Sequence, residues 1–202
     1  MSHDTTAINR QRQDFSNRDS VWLFGYGSLI YKAGFDFLER QAAHIQGWER
    51  RFWQGSHDHR GTPEAPGRVL TLIPVEGAEC GGMAYRITPG QLDAIDEREK
   101  NGYLRTEIEF HLADGRHVLG LVYVADPHNA AWLGPASDEE IARHIARSSG
   151  PSGANRDYLL RLAEALRAMG EDDPHVFALE RALRQLEDRT DAARARHGHM
   201  DL

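Results

Sequence analysis

Val21-Trp22-Leu23-Phe24-Gly25-Tyr26-Gly27-Ser28-Leu29-Ile30 is the stretch on which the fold reading turns. Val21 to Tyr26 is a short apolar and aromatic run that stops at Gly27-Ser28, the pattern of a buried strand entering a tight loop. Two glycines at a strand end let successive backbone N–H groups turn toward one point, a nest suited to a carboxylate or a phosphate. The third glycine of a dinucleotide fingerprint is missing where Ile30 stands, and no Gly-Lys-Ser/Thr follows, so nucleotide binding is disfavoured. Taken alone, such a loop is more often a structural turn than an anion cradle.

Working outward, short strands are expected at His44 to Trp48, Arg51 to Trp53, Val69 to Ile73 and Gly82 to Ile87, separated by Gly, Pro and Asp. Thr88-Pro89-Gly90-Gln91 carries the signals of a helix start, a capping box with Pro at the first helical position, and Asn101-Gly102 supplies the stop. Leu104 to Leu112, a turn at Asp114-Gly115 and His117 to Val124 read as a hairpin. After Pro135 the pattern becomes helical. Ser137 with Glu140 forms a capping box, Gly150-Pro151-Ser152-Gly153 ends that helix, and two further helices carry Tyr158 to Leu166 and Val176 to Leu186. Strands first and helices last imply an α+β fold rather than βαβ alternation. The expected organisation is a flexible polar tail over 1–20, one domain over 21–188 and a polar tail over 189–202.

Composition narrows the function. The 202 residues include a single cysteine, Cys80, which excludes an internal disulfide and a thiolate metal cage and fits a reducing, cytoplasmic setting. The first 20 residues hold no apolar run resembling a signal peptide, and no stretch approaches the roughly 18 apolar residues of a membrane span. Formal net charge is −7 with basic residues scattered among acids, so nucleic acid is not an expected partner. An anionic substrate would have to be attracted locally, by Arg60, Arg68 or backbone N–H groups.

Among candidate chemical groups, Asp96-Glu97-Arg98-Glu99-Lys100 has the look of a solvated helix end. For Glu99 to act as a base near neutral pH it must turn inward and lose solvent. His57 and His59 flank Asp58, but a zinc site needs three or four positioned ligands, so this segment is read as a loop lining a pocket and no metal is expected. Gly150 to Asn155 reads as an interhelical connector from which Asn155 and Tyr158 would be within reach of a ligand.

Several segments then occur together and in order: FGYGSLI (24–30), RRFWQGSHDHRG (50–61), PGRVLTL (66–72), AYR (84–86), REKNGY (98–103), Tyr123, LGPA (133–136) and GPSGAN (150–155). From about Val21 to Leu186 the chain resembles the ChaC family of glutathione-specific γ-glutamylcyclotransferases. The resemblance implies a γ-glutamylcyclotransferase-like fold, a small mixed barrel-like sheet with flanking helices and a helical C-terminal part. It also implies a cofactor-free lyase that converts glutathione to 5-oxoproline and cysteinylglycine. By the same resemblance Glu99 is the acid/base. The substrate-binding set is Gly25, Tyr26, Gly27, Ser28, Leu29 and Ile30 of the loop, with Ser56, Arg60, Tyr103 and Tyr158. A monomer acting on a small molecule is expected. Tyr31 stands where the family commonly has Trp, and Asn101 where it has Gly. The stretch from Tyr85 to Asp96 is shorter than in some relatives that place a second acidic residue on a mobile loop there, and Asp93 is the only stand-in for it.

The chemistry suits those parts. The α-amine of a γ-glutamyl group is tethered to its own γ-carbonyl, and well-oriented intramolecular attack reaches effective molarities of about 10⁵–10⁸ M. The enzyme need only fold the chain, take a proton from the ammonium and return one to the departing amine. Two other readings compete with glutathione cleavage: cyclisation of other γ-glutamyl amines or dipeptides, and a non-catalytic regulator of a cation transporter, for which a retained base would be superfluous.

Overall fold

The computed structural model describes residues 3–197. Five strands close into a barrel: β1 (Val21–Gly25), β2 (Glu39–Ser56), β3 (Gly67–Ile87), β4 (Leu104–Leu112) and β5 (His117–Val124), in the order β1-β3-β2-β4-β5. All pairings are antiparallel except the closure, where β1 meets β5 in parallel through Leu23↔Leu121 and Phe24↔Val122. Leu23, Phe24, Ile45, Leu70, Phe110 and Leu121 are among the strand residues buried on one face of the sheet or the other.

The four short strands expected before the first helix are in fact two long ones. β2 and β3 run together from Glu39↔Arg86 to Ser56↔Gly67, with register breaks between Gln46 and Trp48 and between Arg51 and Gln54. Gly47 takes φ +80° at the first break, a left-handed conformation that glycine tolerates without strain. The polar and glycine positions that suggested turns are bulges that bend continuous strands around the barrel.

α2 (Leu92–Arg98) is preceded by a 3₁₀ turn, Pro89–Gln91. Thr88 holds the N-cap position without a side-chain bond, so the expected capping box is replaced by the turn's own backbone bond from Gln91 N–H to Thr88 carbonyl, 3.1 Å. The capping box at Ser137 does form and starts α3 (Asp138–Arg147). α3 leads through a two-residue hairpin, β6 (Ser149–Gly150) and β7 (Gly153–Ala154), into α4 (Asn155–Met169), which ends at Gly170 with φ +76°. α5 (Pro174–His197) follows. Ile141, Ile145, Leu159, Leu162, Leu166, Val176, Leu179 and Leu183 are sealed from solvent and continue the barrel core, giving the α+β architecture.

Both expected tails need correction. Residues 6–12 form helix α1 (Thr6–Arg12), not a mobile segment. Its anchors are polar: Thr5 Oγ donates to the Tyr103 carbonyl at 2.7 Å, and buried Asn9 donates to that carbonyl at 3.0 Å while accepting from Arg105 N–H at 2.9 Å. At the other end α5 continues through His197, so only 198–202 of the expected C-terminal tail, with 1–2 at the start, lie outside the described residues. No helix among the described residues is long and apolar enough to cross a membrane.

Candidate active site

The strand β1 ends at Gly25 and the chain turns at once into a 3₁₀ turn, Ser28–Ile30. Both glycines are required by close approach. A Cβ on Gly25 would stand 2.4 Å from Leu29 Cβ, and one on Gly27 would stand 2.9 Å from the Tyr158 hydroxyl. Ile30 N–H donates to the Gly27 carbonyl and Tyr31 N–H to the Ser28 carbonyl. The N–H groups of Gly27, Ser28 and Leu29 find no acceptor among the described residues, as expected at the start of a helical turn.

The loop forms one wall of a cleft. Its narrow end, about 50 Å³, is lined by Gly25 to Leu29, Leu70, Glu99, Tyr103, Tyr123 and Tyr158. Its wide end, about 370 Å³, is lined by Tyr31, Lys32, Ser56, Asp58, Arg60, Arg161 and neighbours. Ser28, Glu99, Tyr103 and Tyr158 border both, so the two ends are one continuous cleft. A larger but more open hollow of about 460 Å³ lies between α4 and α5, walled mostly by charged side chains. It touches neither the loop nor Glu99.

Glu99 caps α2 at its C-terminus, where φ −96° and ψ 15° turn its side chain off the helix path and into the cleft. The side chain keeps 19% of its exposure. Burial raises its carboxyl above the usual range, while Arg98 and then His59 pull it back part of the way. Arg98 Nε lies 3.4 Å from Glu99 Oε1, and the same guanidinium donates to Ser28 Oγ at 2.9 Å and to the Ala33 carbonyl at 2.5 Å. One arginine thus ties the carboxylate to the glycine loop.

Three tyrosines surround that carboxylate. Burial first, with the Glu99 charge among the further causes, pushes the hydroxyls of Tyr26, Tyr103 and Tyr158 well above 10, so they stay neutral. Tyr26 donates to the Tyr123 carbonyl at 2.7 Å, and Tyr103 to the Leu70 carbonyl. With their protons committed, these oxygens offer lone pairs, which suit an ammonium or amide N–H.

Of the expected binding residues, Gly25, Tyr26, Gly27, Ser28, Leu29, Tyr103 and Tyr158 come together around Glu99. Ser56 and Arg60 lie at the wide end. Ser56 Oγ is engaged in shaping that wall, accepting from Arg60 N–H at 2.9 Å. Arg60 lies over the Tyr158 ring and donates to the Ala154 carbonyl at 3.1 Å. Ile30 is a correction: its side chain is buried in the core and its N–H is used within the turn, so it does not face the cleft. Arg68 is another, since its guanidinium is buried and donates to the Phe52 and Gly134 carbonyls. Asp93 is exposed and paired with Arg10 at 3.2 Å, away from the cleft lining.

The sequence reading missed the supports. Arg50, 2% exposed, donates to the Tyr26 carbonyl at 3.0 Å and pairs with Asp173 at 2.9 Å, bracing the loop against the start of α5. Removing one partner of such a buried pair costs about 3–5 kcal/mol. Asp96 is fully buried, bound by Arg105 at 2.8 Å and by the Tyr123 hydroxyl at 2.6 Å, and fixes the base of α2 under Glu99. The i, i+3, i+4 spacing of Leu92, Ile95 and Asp96 was the available signal, because it puts Asp96 on the inward face.

The family described as ChaC-like protein matches residues 21–186. The chain is similar to glutathione-specific γ-glutamylcyclotransferase 1 of Danio rerio, 42% identical over 83% of this chain and 91% of that one. It is also similar to γ-glutamylcyclotransferase 2-3 of Arabidopsis thaliana, 43% identical over 83% and 90%. The crystal structure of the selenomethionine-labelled yeast γ-glutamyl cyclotransferase specific to glutathione superposes with a TM-score of 0.78, at 33% identity over 83% of this chain and 97% of that one. By matched residues, relatives and fold alike, the chain belongs to the ChaC-like family.

Proposed function

We infer that this chain is a glutathione-specific γ-glutamylcyclotransferase with Glu99 as its acid/base. The observation that carries the reading is the partly desolvated Glu99 carboxylate facing the glycine loop across one cleft. The free N–H groups of Gly27 to Leu29 receive the substrate's α-carboxylate, and the lone pairs of the tyrosine hydroxyls receive its α-ammonium. Glu99 takes a proton from that ammonium. The freed amine attacks the γ-carbonyl carbon, the new C–N bond closes the five-membered ring, and the bond to the cysteine nitrogen breaks as Glu99 returns the proton to it; the second proton of the ring nitrogen then passes to the departing amine, which leaves as an ammonium. 5-Oxoproline and cysteinylglycine result, and no step calls on a cofactor.

The raised carboxyl of Glu99 favours this role, because a base closer to neutrality accepts and returns a proton with less penalty. Lys32, Arg60 and Arg161 at the wide end favour a leaving group with its own carboxylate, as cysteinylglycine has. One chain supplies every group named, which supports a monomer as the working unit, and the lone buried Cys80 fits a cytoplasmic setting.

The test is to incubate the purified protein with glutathione, γ-Glu-Ala and γ-Glu-ε-Lys and to quantify 5-oxoproline by mass spectrometry. Glutathione alone is expected to turn over. Turnover of the other two at comparable rates would replace the substrate assignment, and a Glu99→Gln variant as active as the parent would remove Glu99 from the mechanism.

A further inference from the structure

A second group of side chains lies on the barrel's outer face, apart from the cleft. The β4–β5 register sets His111 directly across from His117, and the β2–β4 register sets His44 across from His111 on the other side. The imidazoles therefore form a row over three strands, with centroids 4.1 Å apart for His111 and His117 and 4.8 Å for His44 and His111. Glu109, two residues before His111 on β4, points to the same face. Its Oε1 lies 3.3 Å from His111 Nε2 and 3.5 Å from His117 Nδ1.

Those distances are those of a coordination edge. A tetrahedral zinc ion with bonds of about 2.0–2.1 Å holds its ligand atoms about 3.3–3.4 Å apart. The ligand atoms of Glu109, His111 and His117 all lie within 4.8 Å of one another, and a rotation of one imidazole out of the present stack would aim both ring nitrogens at one ion and close the third edge. Two imidazoles and one carboxylate match a borderline transition ion, whereas calcium and magnesium want more oxygens and cuprous copper wants sulfur. We propose that Glu109, His111 and His117 form a binding site for Zn²⁺ or a similar divalent transition ion, with water completing the tetrahedron.

The site's place in the barrel gives it a role. β2 and β4 pair only through Ala43↔Leu112 and His44↔His111, one of the two narrowest seams of the closed sheet. The ion would bind beside that seam, with His44 held on its far side by Glu79 at 3.5 Å. His111 lies seven residues along β4 from Leu104, roughly 23 Å at 3.3 Å per residue. The ion therefore stiffens the barrel or reports on metal supply, and takes no part in chemistry at Glu99. The competing account is an exposed hairpin whose histidines merely contact Glu109. It stands independently of the cyclotransferase reading.

Isothermal titration of ZnCl₂ into the full chain separates the two, using His111→Ala, His117→Ala and Glu109→Gln, with exposed His128→Ala as control and circular dichroism to verify each fold. We expect one ion per chain in the parent and in the control, and affinity lowered about tenfold or more in the other three. A rise in Tm with zinc is expected in the parent and blunted in those three. Absence of saturable binding, or binding unchanged in the His111 and His117 variants, would overturn the site.

Discussion

The two ends of the cleft are built differently. At the narrow end the groups come from the close of β1 and the turn after it, from β3 and β5, from the end of α2, from Tyr103 just before β4 and from Tyr158 on α4, and three hydroxyl protons are committed: Tyr26 to a carbonyl, Tyr103 to a carbonyl, Tyr123 to Asp96. At the wide end Lys32, Asp58, Arg60 and Ser152 lie on loops and turns, and Arg161 projects from the outer side of α4. Rigid elements hold the atoms that react. On the proposed mechanism adaptable ones would meet the leaving group, so the narrow end should govern kcat and the wide end KM.

The sharpest way to break that contrast is Glu99→Gln, which keeps shape and removes the base. A fall in kcat of about 10²–10⁴-fold with little change in KM is expected from steady-state 5-oxoproline assays. Next is Gly27→Ala. Its new methyl must displace the Tyr158 hydroxyl from 2.9 Å, and a displacement of this order costs up to about 10²-fold in kcat/KM. Adding Tyr158→Phe should restore part of the loss, and a double variant as poor as the single would locate the damage elsewhere. At the wide end Arg161→Ala should raise KM for glutathione by about fivefold or less with kcat intact, the scale of an exposed ion pair of up to about 1 kcal/mol. A kcat effect instead would dissolve the division of labour.

The smallest effects concern pH. Glu99 must be ionised to act, so the acid limb of kcat/KM should lie above the ordinary glutamate value of 4.5, and Arg98→Ala should move it further up by removing the charge that pulls it down. A carboxyl whose folded-state pKa is raised costs stability once ionised, a cost absent below the unfolded value and complete above the folded one. Glu99→Gln should therefore melt slightly above the parent at neutral pH. The difference should vanish as pH falls through 4.5, as scanning calorimetry would read.

How far the sequence spoke depends on what kind of force holds each part. β1 and its glycine loop were legible because an apolar run ending in two glycines is a local signal. So were α3, from its capping box, and the hairpin of β4 and β5. The continuity of β2 and β3 was not, since a bulge and a turn use the same glycines and differ only in what the partner strand does at Glu39↔Arg86 through Ser56↔Gly67. α1 was lost for a different reason. Its seven residues, five of them polar and the one large apolar group, Ile8, exposed, carry no burial pattern, and the bonds of Thr5 and Asn9 to residues nearly a hundred positions away leave no local trace. In the site, Glu99 was named through resemblance, while Asp96 hid in the same charge run. Its spacing from Leu92 and Ile95 was the one local sign that it sits under the helix rather than beside it.

α1 has one more bearing on the enzyme. Thr5 and Asn9 grip Lys100, Tyr103 and Arg105, the segment that follows directly on Glu99. Whatever loosens the front of the chain, whether a fused tag, a nick by a protease or a partner that peels the helix away, would also release the segment next to Glu99 from its outer side.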